Sequence, residues 1–268
     1  MTTKYKSFFG FTNEPFSQDI KKEEILNTPE ITAASERILY AVNCRAVSVI
    51  TGDVGAGKST ALRYALSNLH PSQYRTIPVV ANTGSILEML KQICIELNVE
   101  NNSHSQTGMI NTIRKTILEI NSRKQVPVLA IDEAHLMRLE IFGSMHTIGQ
   151  FDMDSKPVIP IILVGQNNLI DKLMYNKSRS LASRVVGRSH LEGIKFGDIG
   201  GYIKHHLEIS GIKEQLFSDE ALLAIHQGSR GMLRKTNITA RGALIAAAGE
   251  KCNVVSAEHV RRALTETI

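Results

Sequence analysis

Residues 52–59 have the types and spacing of a loop that holds phosphate groups, G-x-x-x-x-G-K-[ST]. Glycines allow such a loop to curl until its backbone N–H groups point inward, and the following helix adds a dipole that favours anions. Lys58 would then bridge the β- and γ-phosphates of ATP, and the Ser59 hydroxyl would ligate Mg²⁺. The residues expected to bind the nucleotide here are Gly52, Asp53, Val54, Gly55, Ala56, Gly57, Lys58, Ser59 and Thr60.

Two carboxylates, Asp132 and Glu133, follow the four apolar residues 128–131. A carboxylate at the end of a strand beside a phosphate loop supplies an oxygen to Mg²⁺, so Asp132 is the expected second metal ligand. Glu133, one residue later, would polarise a water in line with the γ-phosphate. The alternative is a solvated Asp-Glu pair, and the presence of Lys58 favours the catalytic interpretation. The nearby His135 is expected to be structural.

Strands that alternate with helices must position these residues. Short apolar runs at 47–51, 76–81, 128–131, 161–164 and 189–191 predict strands, and the amphipathic segments between them predict helices. This order predicts an α/β fold with a doubly wound parallel sheet that binds its ligand at the carboxyl ends of the strands. From Asp198 onward the apolar period is helical. We therefore expect a nucleotide-binding α/β domain over residues 1–192 and a small α-helical lid domain over residues 193–268.

An aromatic cluster, Phe8-Phe9-Gly10-Phe11 and then Pro15-Phe16, precedes the first predicted helix. One interpretation is a cap that packs on the nucleotide base, with Phe16 as the contact. The other is a hydrophobic arm that closes the core, because aromatic stretches belong to cores more often than to ligand pockets.

The composition of the 268 residues narrows the class of protein. A net charge of +5 and a pI near 9.1 permit a polyanionic partner without locating its binding face. The cysteines Cys44, Cys94 and Cys252 form no C-x-x-C pair and are expected to be reduced thiols. No apolar run approaches the ~18 residues of a membrane span. We expect a cytoplasmic protein with no membrane partner.

Taken together, these motifs resemble the AAA+ ATPases over nearly the whole chain. The opening aromatic cluster, the run LVGQ at 163–166 and the run SRGMLR at 229–234 are similar to those of the ExeA-like subgroup. The resemblance implies an AAA+ P-loop NTPase sheet with a C-terminal helical lid and Mg²⁺-dependent ATP hydrolysis. It also implies a homo-oligomer, in a ring or a filament.

The resemblance assigns roles within one subunit to three further residues. Gln166, at the end of the fourth strand, matches the sensor-1 position that contacts the attacking water or the γ-phosphate. Arg234 matches sensor 2 on the lid. Asn82, at the end of the second strand, matches a polar residue that in some members holds the catalytic glutamate off until a ligand binds.

One further role, that of the arginine finger, acts between subunits. Arg184 matches this residue, which reaches the γ-phosphate in a neighbouring subunit and makes hydrolysis depend on assembly. Arg179 and Arg188 flank it and are alternatives for the same role.

The resemblance leaves two client systems. The first is DNA transposition, because the compact chain resembles transposon-encoded helper ATPases of the TnsC, MuB and IstB type, which assemble on double-stranded DNA and serve a transposase. Such contacts would be to phosphates and tolerant of sequence. For Lys91, Arg114 and Lys115, the alternative is that each lies on a solvated helix face and binds no DNA. The candidate DNA-binding residues are Thr83, Ser85, Lys91, Arg114 and Lys115.

The second client is a secretion or envelope-assembly system of the ExeA type. Proteins of that type carry a membrane span and a wall-binding domain after the ATPase, and their absence here favours transposition. A nucleotide switch without hydrolysis is a third possibility, against which the intact Lys58, Asp132 and Glu133 argue.

Overall fold

The structure is a computed structural model that describes residues 2–100, 103, 105–149, 151 and 157–266. Its contacts divide the chain into two compact units. The helical unit comprises Met1–Leu26, Asp53–Gly57 and Glu192–Ile268, and the sheet unit comprises Asn27–Gly52 and Lys58–Leu191.

Among the described residues, five parallel strands form the sheet, in the order β2-β3-β4-β1-β5. They are β1 (Val47–Gly52), β2 (Tyr74–Val80), β3 (Val126–Asp132), β4 (Ile161–Gly165) and β5 (Val185–Leu191). β1 and β4 are buried at every residue, as expected of central parallel strands whose two faces are covered. Pairing of Thr51 with Gly165 and of Ile131 with Leu163 brings three strand ends to one edge. The predicted α/β fold with a parallel sheet is confirmed.

The helices have clear local origins. In chain order they are α1 (Thr2–Phe9), α2 (Pro29–Asn43), α3 (Lys58–Ser67), α4 (Ile86–Leu97), α5 (Gln106–Ser122), α6 (Leu139–Gly149), α7 (Asn168–Met174), α8 (Arg179–Ala182), α9 (Phe196–Ile209), α10 (Asp219–Ser229), α11 (Leu233–Gly249) and α12 (Ala257–Glu266). α4 begins with a capping box. The Ser85 hydroxyl accepts from the N–H of Glu88 at 3.4 Å, and Glu88 Oε2 accepts from the N–H of Ser85 at 2.9 Å. No helix within the described ranges is both long and apolar enough to cross a membrane.

The core of the sheet unit lies between the sheet and its helices. α4 and α5 contribute Leu90, Ile93, Ile113 and Ile117, each at most 1% exposed, to one buried cluster with the apolar residues of β2 and β3. Each such side chain contributes about 1.5–3 kcal/mol by its removal from water. This packing holds the strand ends in place.

The last strand is longer than its sequence indicates. β5 begins at Val185 rather than near residue 189, and it lies at an edge of the sheet. Its residues alternate between buried and exposed, with Arg188 and His190 exposed. Because polar residues alternate with buried ones along β5, its sequence lacks the continuous apolar run that identifies the other strands.

The N-terminal arm packs with the C-terminal helices. Residues 2–9 form α1, where no regular element was expected, and the first 26 residues group with the helical unit rather than with the α/β part of the predicted division. The physical reason is the aromatic cluster, because Tyr5, Phe11 and Phe16 are buried in one core with side chains of α9–α12.

Phe16 is one of the residues of this core. It is fully buried, its ring stacks on that of His206 with centroids 5.3 Å apart, and its carbonyl accepts from the Arg241 guanidinium at 2.8 Å. Burial lowers the pKa of His206 to about 4, so this imidazole is neutral at pH 7. The expectation that Phe16 contacts a nucleotide is corrected: its ring has no exposed surface to offer, and the core-closing alternative fits.

Substitution of Phe16 by alanine should therefore affect stability rather than nucleotide affinity. We expect Phe16→Ala to lower the free energy of unfolding by about 3–5 kcal/mol, because a buried aromatic side chain leaves a cavity. Urea denaturation followed by circular dichroism measures this loss, and Phe8→Ala, at a 38% exposed position, is the control with a much smaller effect. Unchanged stability together with weakened ATP binding would restore Phe16 as a base contact.

Candidate nucleotide-binding site

The phosphate loop leaves the sheet at the carboxyl end of β1. Gly52 ends this strand, and a Cβ atom there would lie 2.4 Å from the carbonyl oxygen of Leu191 on β5, so a larger residue would separate the two strands. Lys58 begins α3 and is only 7% exposed, whereas Ser59 is exposed and Thr60 is half-buried. Lys58 is thus a buried ammonium at the N-terminus of a helix, where backbone N–H groups also favour an anion.

The middle of the loop, Asp53–Gly57, groups with the helical unit. Gly57 has φ +95°, and a Cβ atom there would lie 2.7 Å from a methyl carbon of Leu233. The N–H of Arg234, in the first turn of α11, donates to the carbonyl of Gly55 at 3.3 Å. Arg234 therefore lies against the loop through its backbone while its side chain is exposed.

The end of β3 carries the two carboxylates. The N–H of Glu133 donates to Asp132 Oδ1 at 2.8 Å, and the N–H of Ala81 donates to the Asp132 carbonyl at 2.8 Å. Glu133 has left-handed backbone angles, φ 53° and ψ 29°, which cost a non-glycine residue roughly 1–2 kcal/mol. Such strain persists where surrounding contacts fix the backbone, and it clusters at functional sites.

His135, which the sequence predicts to be structural, lies beside Glu133. Its ring is 6% exposed, and Nδ1 lies 3.3 Å from Glu133 Oε2 without the alignment of a hydrogen bond. Burial lowers the pKa of His135, against the opposing effect of Glu133, and the nearby Lys58 lowers it further. The imidazole is therefore neutral at pH 7, and this contact is not a pair of full charges.

Two polar residues at neighbouring strand ends have partners of their own. Asn82 is exposed, and its side-chain oxygen accepts from the N–H of Gly84 at 2.9 Å. Its control of Glu133 therefore stays a prediction, since among the described contacts Glu133 meets His135 instead. Gln166 directly follows β4, is half-buried, and accepts through its carbonyl from the N–H of Leu169 at 2.9 Å.

Arg184 lies at the amino ends of β1 and β5, whereas Lys58 lies beyond the carboxyl end of β1. Its carbonyl accepts from the N–H of Val47, the first residue of β1, and its guanidinium donates to the Ser180 carbonyl at 2.8 Å and contacts His146 Nδ1. The six residues of β1 separate these two ends of the strand by roughly 17 Å, which is more than an arginine side chain spans. Arg184 cannot reach Lys58 of its own chain.

The two alternative fingers are both exposed. Arg179 begins α8, and Arg188 pairs with Val49 in the middle of the β1–β5 ladder. The choice among these arginines stays a prediction.

The five candidate DNA contacts differ in what they already bind. Ser85 caps α4, and the Arg114 guanidinium lies 4.7 Å from the centroid of a buried phenylalanine ring, a cation–π contact. These two have structural roles. The remaining three, Thr83, Lys91 and Lys115, have exposed side chains.

The parallel sheet and the loop after β1 define the class, an α/β P-loop NTPase with a nucleotide-binding fold. Residues 43–173 match the protein family described as AAA domain. The expected AAA+ resemblance is thereby supported at the level of the domain.

The particular relatives are one protein matched by sequence and two proteins matched by structure. Over 245 residues the chain is 26% identical to General secretion pathway protein A of Aeromonas hydrophila, covering 91% of this chain and 45% of that protein. The chain thus spans about half the length of this relative. Among solved structures it is similar to Cdc6p of Pyrobaculum aerophilum (TM-score 0.72, 15% identity, 98% of this chain and 71% of that chain). It is also similar to the ORC1 protein of Aeropyrum pernix in complex with DNA (TM-score 0.69, 14% identity, 94% and 68%). These two likenesses show the fold.

Proposed function

We propose that this chain is a Mg²⁺-dependent ATPase that works as an assembly of identical subunits. The observation that carries the proposal is the placement of Lys58 and the Asp132-Glu133 pair at the carboxyl edge of one parallel sheet. A buried ammonium at a helix N-terminus suits phosphate oxygens, and a carboxylate at the neighbouring strand end suits a hard cation. The donor set therefore fits ATP together with Mg²⁺.

Each residue then has one task in positioning or in charge stabilisation, which are the main contributions to phosphoryl transfer. Lys58 would bind the β- and γ-phosphates, and Ser59 and Asp132 would hold Mg²⁺, which when bound would neutralise charge on the phosphate oxygens. Glu133 accepts a proton from the attacking water, and Gln166 orients that water.

Within the helical unit, which includes the loop residues Asp53–Gly57, Arg234 is the proposed phosphate contact. The support is its bond to the loop carbonyl of Gly55.

Replacement of the general base should separate binding from turnover. We expect Glu133→Gln to lower the rate of phosphate release by about 10²–10⁴-fold, because it removes the proton acceptor alone. Affinity for a fluorescent ATP analogue should stay near the wild-type value. Glu140→Gln, at an exposed position on α6, is the matched control. Wild-type turnover in Glu133→Gln would contradict the assignment of the base.

An arginine supplied by a neighbouring subunit completes the proposed site. The support for action between subunits is the distance between Arg184 and Lys58 within one chain, because the two residues lie at opposite ends of the strands. Exposure of Arg179 keeps it as the alternative.

Loss of the finger should remove the dependence of turnover on assembly. For Arg184→Ala we expect ATP binding to persist while turnover falls by roughly 10³-fold, the lower end of the contribution of such an arginine. The turnover per subunit should also stop rising with protein concentration. Thermal melting checks that loss of the His146 contact leaves the fold intact. Unchanged turnover would move the role to Arg179 or Arg188, which are tested as alanine variants in parallel.

For the client, we infer a secretion or envelope-assembly system. The support is the similarity to General secretion pathway protein A over 91% of the chain, and none of the relatives named above is a transposition protein. The preference for a transposase depended on the absence of further domains after the helical region. Because the chain spans only 45% of its relative's length, the absence of further domains is not an argument for either client.

DNA binding is the second candidate, favoured by the exposure of Thr83, Lys91 and Lys115. The ORC1 protein, which shares the fold, was solved with DNA.

A titration of labelled duplex DNA separates these clients. The secretion assignment predicts no ATP-dependent binding, measured by anisotropy with ATP, with ADP and with Glu133→Gln. Binding that requires ATP and falls steeply with salt would instead establish a DNA client, because phosphate contacts release counterions. In that case Lys91→Glu/Lys115→Glu should weaken binding, while Lys213→Glu/Lys251→Glu, at two exposed lysines of the helical unit, controls for net charge.

A further inference from the structure

Lys172, on α7, is bonded to the turn after Glu133. Its Nζ donates to the carbonyls of His135 and Met137, the latter at 2.7 Å. These two carbonyls lie at the end of the one-turn 3₁₀ helix Ala134–Leu136, whose own hydrogen bonds use the carbonyls of Glu133 and Ala134. The ammonium therefore donates to two carbonyls that the hydrogen bonds of the turn do not use.

This arrangement has an energetic cost. Lys172 is half-buried, and burial lowers the pKa of its ammonium because the charged form is desolvated. Hydrogen bonds from a charged donor are about twice as strong as neutral ones, which offsets the desolvation. An ordinary surface lysine would keep its ammonium in water and avoid that cost.

The turn is the part of the site that most needs such support. Glu133 has left-handed backbone angles, and its side chain is 40% exposed, so burial does not fix its carboxylate. The backbone is fixed by the bond from its N–H to Asp132, the close approach of Gly165 and the two bonds from Lys172. A Cβ atom at Gly165 would lie 3.0 Å from the nitrogen of His135.

The same lysine joins two proposed catalytic groups. α7 begins two residues after Gln166, and the Gln166 carbonyl accepts from the N–H of Leu169 in the first turn of that helix. Lys172 lies one turn further along α7. Its bonds therefore connect the backbone that carries Gln166 to the backbone that carries Glu133.

We propose that Lys172 is a positioning residue for ATP hydrolysis: its two bonds hold the turn after Glu133 against α7 and so set Glu133 relative to Gln166. The inference rests on the proposed function, in which Glu133 is the general base. Lys172 acts through the backbone of the turn and contacts neither the nucleotide nor Mg²⁺.

Lys172→Met tests this role, because methionine keeps an unbranched stem and removes all donors. We expect kcat to fall by about 10–100-fold, the size of effect that results from a misplacement of roughly 1 Å. KM, and the Kd for a fluorescent ADP analogue, should stay within about twofold, since phosphate binding does not use the turn. Lys172→Arg should recover part of kcat, because it restores a cationic donor. Lys177→Met, at an exposed lysine after α7, is the matched control.

A second readout needs no turnover. In the protein without nucleotide, Lys172→Met should speed amide hydrogen exchange at Leu136 and Met137, whose N–H groups close the 3₁₀ turn, and leave β1 unchanged. Because Lys172 is proposed to act through Glu133, the variant Glu133→Gln/Lys172→Met should turn over no more slowly than Glu133→Gln alone.

The outcomes separate this inference from the proposed function. Wild-type kcat in Lys172→Met overturns the positioning role, and so does a parallel loss of kcat, nucleotide affinity and melting temperature, which would show a structural role alone. A wild-type protein that hydrolyses no ATP under any assembly condition overturns the proposed function and the inference with it.

Discussion

The parallel register of β1, β3 and β4 is the constraint on which the candidate site depends. Because Thr51 pairs with Gly165 and Ile131 with Leu163, the three strands end within about one residue of each other. Parallel strands present their carboxyl ends at the same edge, and helices cover both faces, so side chains just past the strands converge there. The proposed catalytic residues lie at these three strand ends: Lys58 after the loop that follows β1, Asp132-Glu133 at the end of β3, and Gln166 after β4.

Rigidity at this edge comes from backbone contacts more than from surface charge pairs. Exposed ion pairs contribute little in general, on the order of 0–1 kcal/mol. The turn after β3 is different, because the strained Glu133, the buried His135 and the two carbonyls that accept from the Lys172 ammonium all lie within residues 133–137. The placement of a general base depends on such contacts, because it must meet its water within hydrogen-bond distance.

In the helical unit, one core unites the two ends of the chain. Phe16 and Tyr5 pack among residues of α9–α12, and Arg234, on α11, is bonded to the loop residue Gly55. Phosphate-loop residues Asp53–Gly57 therefore share a compact unit with the arm and the C-terminal helices. This is the main departure from a division in which residues 1–192 form one domain.

The sequence by itself determined the strands β1 to β4, the phosphate loop and the Asp132-Glu133 pair. These features are local, since a buried parallel strand is a continuous apolar run and the loop depends on eight adjacent residues. Only the tertiary structure decided that Phe16 is a core residue, that Arg184 lies at the amino ends of β1 and β5, and that Lys172 is bonded to the turn beside Glu133. Those contacts join residues that are far apart in the chain. The position of Lys172 in the helical pattern is the same whether its ammonium is in water or bonded to another turn, so the sequence does not distinguish the two.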